Sequence, residues 1–133
     1  MSAERKEVVI GTGKRVLLVE DFEDSRFSLS RLLEFEGYEV LEAEDGAQAI
    51  DLAINNKPDL ILMDLSLPVI DGLSATKQIR QHESMTSIPI IALSAHDLLD
   101  FQIKARDAGC TDYVTKPVDF SALISMLSKY LPA

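Results

Sequence analysis

Leu60-Ile61-Leu62-Met63-Asp64-Leu65-Ser66-Leu67-Pro68, running on to Asp71-Gly72, is the stretch on which the reading of this chain turns. Four apolar residues end abruptly in a carboxylate, and a proline and an Asp-Gly turn follow. The apolar run is too short for a spanning helix and does not alternate with polar residues. It therefore reads as a central strand buried on both faces. Asp64 then stands at the carboxyl end of that strand, on the edge of an open α/β sheet where ligands bind. A plainer reading makes Asp64 the cap of the next helix. Pro68 and Gly72 leave several irregular residues before any helix, which disfavours a direct cap.

Upstream, Arg15-Val16-Leu17-Leu18-Val19 is another short apolar run, and it too ends in carboxylates, Glu20-Asp21. Asp24-Ser25 can cap a helix carrying Phe27, Leu29, Leu32, Leu33 and Phe35, which Gly37 stops. Tyr38 to Ala43 reads as a strand. Asp45-Gly46 turns the chain into a helix with Ala47, Ala49, Ile50, Ala53 and Ile54 on its apolar side, ending near Lys57-Pro58. Downstream, a helix is expected from about Leu73 to His82. Pro89 to Leu93 is the fourth apolar run and ends in Ser94-Ala95-His96. A helix around Leu98 to Ala108 stops at Gly109, and Tyr113 to Thr115 is a fifth strand ending in Lys116-Pro117. Phe120, Leu123, Ile124, Leu127 and Leu131 form the apolar stripe of a last helix. Five short strands alternating with five helices imply a parallel sheet covered on both faces, and right-handed crossovers favour a doubly wound sandwich.

The chain has 133 residues, 47% of them hydrophobic, enough for one domain with a core that needs no disulfide or zinc. Cys110 is the single cysteine, so no internal disulfide forms and a reducing compartment is favoured. With no CxxC and no Cys/His cluster, a thiolate metal site is excluded, and Cys110 reads as a small packing residue. The net charge of −9 disfavours nucleic acid or an anionic membrane as partner. Residues 1–13 lack the apolar core of a signal peptide and read as a flexible leader ahead of a domain at 14–133. The Gly13-Lys14 pair is not a phosphate loop, because Val8 and Arg15 stand where a Gly and a Ser or Thr are needed. No apolar run suits a membrane span, and a cytoplasmic protein is expected.

Function turns on where the strands end. In a parallel sheet Glu20, Asp21, Asp64, Ser94 and Lys116 all reach one edge. Three carboxylates brought within about 5 Å repel by roughly 3 kcal/mol per pair at an effective dielectric of 20. Such a cluster holds a proton or binds a cation. Oxygen ligands without His or Cys select a hard ion, and carboxylates with waters suit Mg²⁺. Lys116 adds a positive charge for Asp64 or for an anion joined to it.

With Glu20-Asp21, Asp64 to Pro68 and Asp71-Gly72, Ser94-Ala95, Lys116-Pro117 and Tyr113 three residues before the lysine, the chain resembles a receiver domain of the two-component response-regulator family over about Arg15 to Leu131. The resemblance implies a five-stranded sheet in the order 2-1-3-4-5. It implies that Asp64 accepts a phosphoryl group from a histidine kinase or phosphotransfer protein. Asp21, Asp64 and the Ser66 main-chain carbonyl would hold Mg²⁺, with Glu20 reaching it through water, and Lys116 and Ser94 would bind the phosphoryl oxygens. Ser94 and Tyr113 would form the switch, read by a downstream protein at the fourth helix, fifth strand and fifth helix; the mixed charges there suit a protein better than DNA. A homodimer is compatible with this reading. Such a chain is a signalling phosphoacceptor and not an enzyme in the ordinary sense.

Glu20 stands where Asp is commoner in the family, and Ser94 where Thr is common. Ser66 and His96 fall at positions that tune the lifetime of the phosphate, while His96 itself reads as an exposed loop residue and His82 carries no functional signal. A receiver segment of a hybrid histidine kinase is an alternative. A phosphohydrolase with Asp64 as nucleophile is disfavoured because Ser66 stands where the haloacid-dehalogenase pattern has its second Asp. A flavin or nucleotide binder is disfavoured because Glu20-Asp21 would repel phosphate where a phosphate-cradling loop is needed.

Overall fold

A computed structural model describes residues 13–132. The expected leader, residues 1–13, therefore lies outside the described residues except for Gly13. Five strands, β1 (Arg15–Val19), β2 (Glu39–Ala43), β3 (Leu60–Asp64), β4 (Ile90–Ser94) and β5 (Asp112–Thr115), form one parallel sheet in the order β2-β1-β3-β4-β5. Parallel neighbours need long crossovers, and helices α1 (Glu23–Phe35), α2 (Gly46–Asn56), α3 (Gly72–Arg80), α4 (Leu99–Ala108) and α5 (Phe120–Tyr130) supply them. The expected doubly wound topology is the one observed.

The unbroken apolar runs are explained by two cores, one on each face of the sheet. Leu17, Val19, Ile61, Met63, Ile90 and Ala92 face α2, α3 and α4, meeting Ala49, Ala53, Ala75, Ile79 and Ala105. Their neighbours in sequence, Val16, Leu18, Leu60, Leu62, Ile91 and Leu93, face Leu29 and Leu33 of α1 and Leu123 and Leu127 of α5. Every residue of β3 and β4 is buried, and both strands are paired on either side, so their ends are rigidly placed. No helix among the described residues is long and apolar enough to cross a membrane.

Helix starts differ from expectation at one place. Asp45 and Asp71 cap α2 and α3 through the Gln48 and Ser74 N–H groups, at 2.8 and 2.9 Å. At α1, however, neither Asp24 nor Ser25 is the cap. The helix begins at Glu23 after Phe22, with no side-chain cap. The Phe22 N–H is taken by the Glu20 carboxylate at 3.2 Å, and Glu23 and Asp24 lie in the first turn, where negative charge favours the helix dipole. Helix α3 ends at Arg80, two residues before the expected His82, and a 3₁₀ turn at Glu83–Met85 follows. Gly72 is required where α3 starts, since a Cβ there would lie 2.3 Å from the Asp64 carbonyl oxygen. This close approach seats the helix directly behind the end of β3.

Candidate functional site

Because all strands run the same way, β1, β3, β4 and β5 deliver their last residues to one edge. Glu20 and Asp21 follow β1, Asp64 ends β3, Ser94 ends β4 and Lys116 follows β5. One carboxylate oxygen each of Glu20, Asp21 and Asp64 lies within 4.8 Å of the others. The Lys116 Nζ donates to Glu20 Oε1 at 3.0 Å and to Asp64 Oδ2 at 3.1 Å. Its own N–H donates to the Ser94 carbonyl at 2.7 Å, which ties the β5 end to β4. Glu20 and Asp64 are 1% and 3% exposed, whereas Asp21 faces solvent. A groove of about 330 Å³ opens beside them, bordered by Glu20, Asp24, Ser25, Lys116, Pro117 and Phe120.

The charges strain against one another. Burial pushes the Glu20 carboxyl above its usual range; the Lys116 ammonium pulls it down, and the Asp64 charge raises it again. Burial alone would depress the Lys116 ammonium, but its bonds to Glu20 and Asp64 outweigh that and hold it above its ordinary value. One ammonium therefore faces three carboxylates. The all-oxygen donor set and the surplus of negative charge fit a hard divalent cation of the Mg²⁺ type.

The remaining predicted residues surround this cluster. The Ser66 N–H donates to Asp64 Oδ1 at 2.9 Å, so Asp64 is held at both oxygens, by Ser66 and by Lys116. Ser94 is buried, and its Oγ accepts the His96 N–H at 3.1 Å. Tyr113 is half-buried against the α2–α3–α4 core, and its hydroxyl donates to the His96 carbonyl. The Ser94 and Tyr113 side chains thus meet through one backbone residue of the β4–α4 loop. The His96 ring is exposed, as expected, and stacks on Phe101 at 4.1 Å with an interplanar angle of 9°. His82 lies exposed, away from these groups.

Two partners were not legible in the sequence. Phe101, which carries the His96 ring, sat in a helix with no clear stripe. Arg26, whose Nη1 donates to the Glu20 main-chain carbonyl at 2.9 Å, belonged to no motif. A basic residue five positions after Asp21 was the one local signal for it.

A doubly wound parallel sheet with an acid cluster and a lysine at its carboxyl edge defines a class of signalling domain, and the comparison with known proteins agrees. The chain belongs to the response regulator receiver domain family, whose profile matches residues 16–128. It is 36% identical over 118 residues to the polar-differentiation response regulator DivK of Brucella anthropi, covering 89% of this chain and 96% of that protein. The receiver domain of the sensor histidine kinase PA1611 of Pseudomonas aeruginosa, solved with a magnesium ion in its active-site cleft, superposes with a TM-score of 0.85. That likeness has 38% identity and covers 92% of this chain and all of the other. The chemotaxis protein CheY4 of Vibrio cholerae superposes equally, with a TM-score of 0.85 at 28% identity, over 90% of this chain and 100% of that one.

Proposed function

We propose that this chain is a Mg²⁺-dependent phosphoacceptor in which Asp64 takes a phosphoryl group from a phosphohistidine of a histidine kinase or phosphotransfer protein. The observation that carries this is the Lys116 ammonium on Asp64, inside a cluster of three carboxylates. In the transfer a carboxylate oxygen of Asp64 forms the new O–P bond as the P–N bond of the donor breaks. The bonding pair returns to the histidine nitrogen, which takes a proton from solvent. Asp64 attacks as a carboxylate, so no general base is needed.

Asp21, Asp64 and the Ser66 carbonyl would hold Mg²⁺, with Glu20 contacting it through water. The bound ion supplies positive charge beside the transferring phosphoryl oxygens. Lys116 orients Asp64 and can follow the phosphoryl group, since its long side chain already reaches two carboxylates. Ser94 would swing its hydroxyl from the His96 N–H to a phosphoryl oxygen. Among the described residues, that removes one of the two hydrogen bonds to the His96 main chain, and Tyr113 makes the other. The β4–α4 loop is then free to move, with Tyr113 turning inward. The readout is α4 with β5 and α5, where Leu98, Leu99 and Ile103 are 62%, 67% and 43% exposed. A protein target or a second copy of the chain would bind there, and the protein would act in the cytoplasm.

Intact mass after treatment with acetyl phosphate and Mg²⁺ tests the chemistry. One added phosphoryl group is expected, absent in Asp64→Asn and absent with EDTA. An adduct that survives either change refutes the assignment, and many turnovers of the donor would indicate a hydrolase. NMR shifts with beryllofluoride should spread from Asp64 to α4, and Ser94→Ala should uncouple them. The likeness to a receiver carried by a sensor kinase supports a second reading, a receiver segment of a hybrid kinase. The mass of the native protein in cell extracts separates the two.

A further inference from the structure

Asp21 is the exposed member of the acid cluster, and among the described residues no hydrogen bond or ion pair reaches its carboxylate. Its aim at Asp64 therefore depends on the main chain beneath it. The Glu20 N–H donates to the Ala43 carbonyl at 3.0 Å, and the Glu20 carboxylate takes the Phe22 N–H at 3.2 Å. Among the described residues, one further contact pins the peptide plane joining Glu20 to Asp21, from Arg26 Nη1 to the Glu20 carbonyl oxygen at 2.9 Å.

The guanidinium is itself anchored. Arg26 Nε donates to Glu42 Oε1 at 3.2 Å, and Nη2 lies 3.8 Å from Glu44 Oε2. Glu42 in turn accepts the Ser30 hydroxyl at 2.9 Å. The Arg26 side chain is only 12% exposed. A planar fork is thus fixed against the end of β2 and presses one prong on the turn after β1, a geometry that a single ammonium does not reproduce.

We infer that Arg26 is a positioning residue for the cation site, acting through the Glu20–Asp21 peptide; the inference rests on the functional reading above. Charge and positioning predict opposite signs. Removing a positive charge near three carboxylates tightens cation binding by simple electrostatics. Releasing the Glu20–Asp21 peptide loosens it.

Calorimetric titration of the full chain with Mg²⁺ alone, without a phosphoryl donor, distinguishes them. Arg26→Met should raise the Kd on the order of ten-fold, the range seen when groups orienting metal ligands are lost. In the metal-free protein the Asp21 amide ¹⁵N resonance should move as well. An unchanged or lower Kd overturns the inference. Arg31→Met removes the same charge from the same helix, where the guanidinium lies over Phe27. Its Kd should not rise, and a rise equal to that of Arg26→Met also overturns the inference. Should Arg26→Met fail to fold, Arg26→Lys keeps the charge, so a rise of about three-fold there supports positioning and no rise overturns it. A parent protein that binds no Mg²⁺ at all refutes the functional reading itself, and this inference with it.

Discussion

Lys116→Met removes the cation that two buried carboxylates share. At 3.0 and 3.1 Å, each ammonium–carboxylate pair attracts by about 5 kcal/mol at an effective dielectric of 20. Across a gap of no more than 4.8 Å, Glu20 and Asp64 repel each other by roughly 3 kcal/mol on the same scale. Much of the attraction only offsets the cost of burying the ions. What unfolding reads is the uncompensated charge left behind, about 3–5 kcal/mol. The protein has an escape, which is to protonate Glu20. Burial already raises that carboxyl above its ordinary 4.5, and losing Lys116, which pulls it down, lets it climb further. A carboxyl raised in the folded state binds a proton that the unfolded chain has released. Stability therefore falls as pH rises from the unfolded value through the folded one, and returns as pH falls.

Urea unfolding of parent and variant at about pH 8 and about pH 5.5, with and without Mg²⁺, measures this linkage. The deficit should be largest at the higher pH without metal. It should shrink on acidification, and Mg²⁺ should raise the variant's stability more than the parent's. A deficit equal at both pH values and indifferent to Mg²⁺ would show that Lys116 acts by packing alone, and would refute the reasoning.

Gly72→Ala drives a methyl to 2.3 Å from the Asp64 carbonyl oxygen and 2.7 Å from Leu65 Cα, so despite the gain in helix propensity it should cost about 2 kcal/mol in thermal unfolding. Mg²⁺ affinity should weaken with it, and a more stable variant would show that α3 is not seated on Asp64. Val69 is an exposed β-branched residue at φ 68°, in the loop between β3 and α3, and Val69→Asn should stabilise by about 1 kcal/mol in urea unfolding. Asp71→Ala removes the α3 cap and should cost about 1 kcal/mol near neutrality. The Ser74 N–H holds the Asp71 carboxyl below its ordinary 3.8, so this contribution is present above that value and is lost as pH falls through the depressed one. Urea unfolding of both proteins across the acid range should show the two curves converging.

The elements were legible because each rests on short-range chemistry. Unbroken apolar runs mark strands with two covered faces, and Asp45, Asp71 and Gly109 mark helix ends through bonds to neighbours a few residues away. Since parallel strands all point one way, knowing the strand ends was enough to place Glu20, Asp21, Asp64, Ser94 and Lys116 on one edge. The start of α1 was misread for the same local reason. Asp24-Ser25 looks like a cap, but the Glu20 side chain had already taken the Phe22 N–H.

The order of elements, the doubly wound topology and the edge on which the polar groups meet all follow from local patterns along the chain. Which of the two adjacent acids is buried and which faces solvent depended on packing across the sheet. Glu20 and Asp21 differ by one methylene on paper. Folding buries Glu20 against an ammonium 96 residues away, and leaves Asp21 in solvent with its aim set by the backbone. It also brought Arg26 to Glu42 across 16 residues of helix and strand. Composition and periodicity carry no record of such contacts. They exist only after the crossovers close, when desolvation makes each buried charge take whichever partner lies within reach.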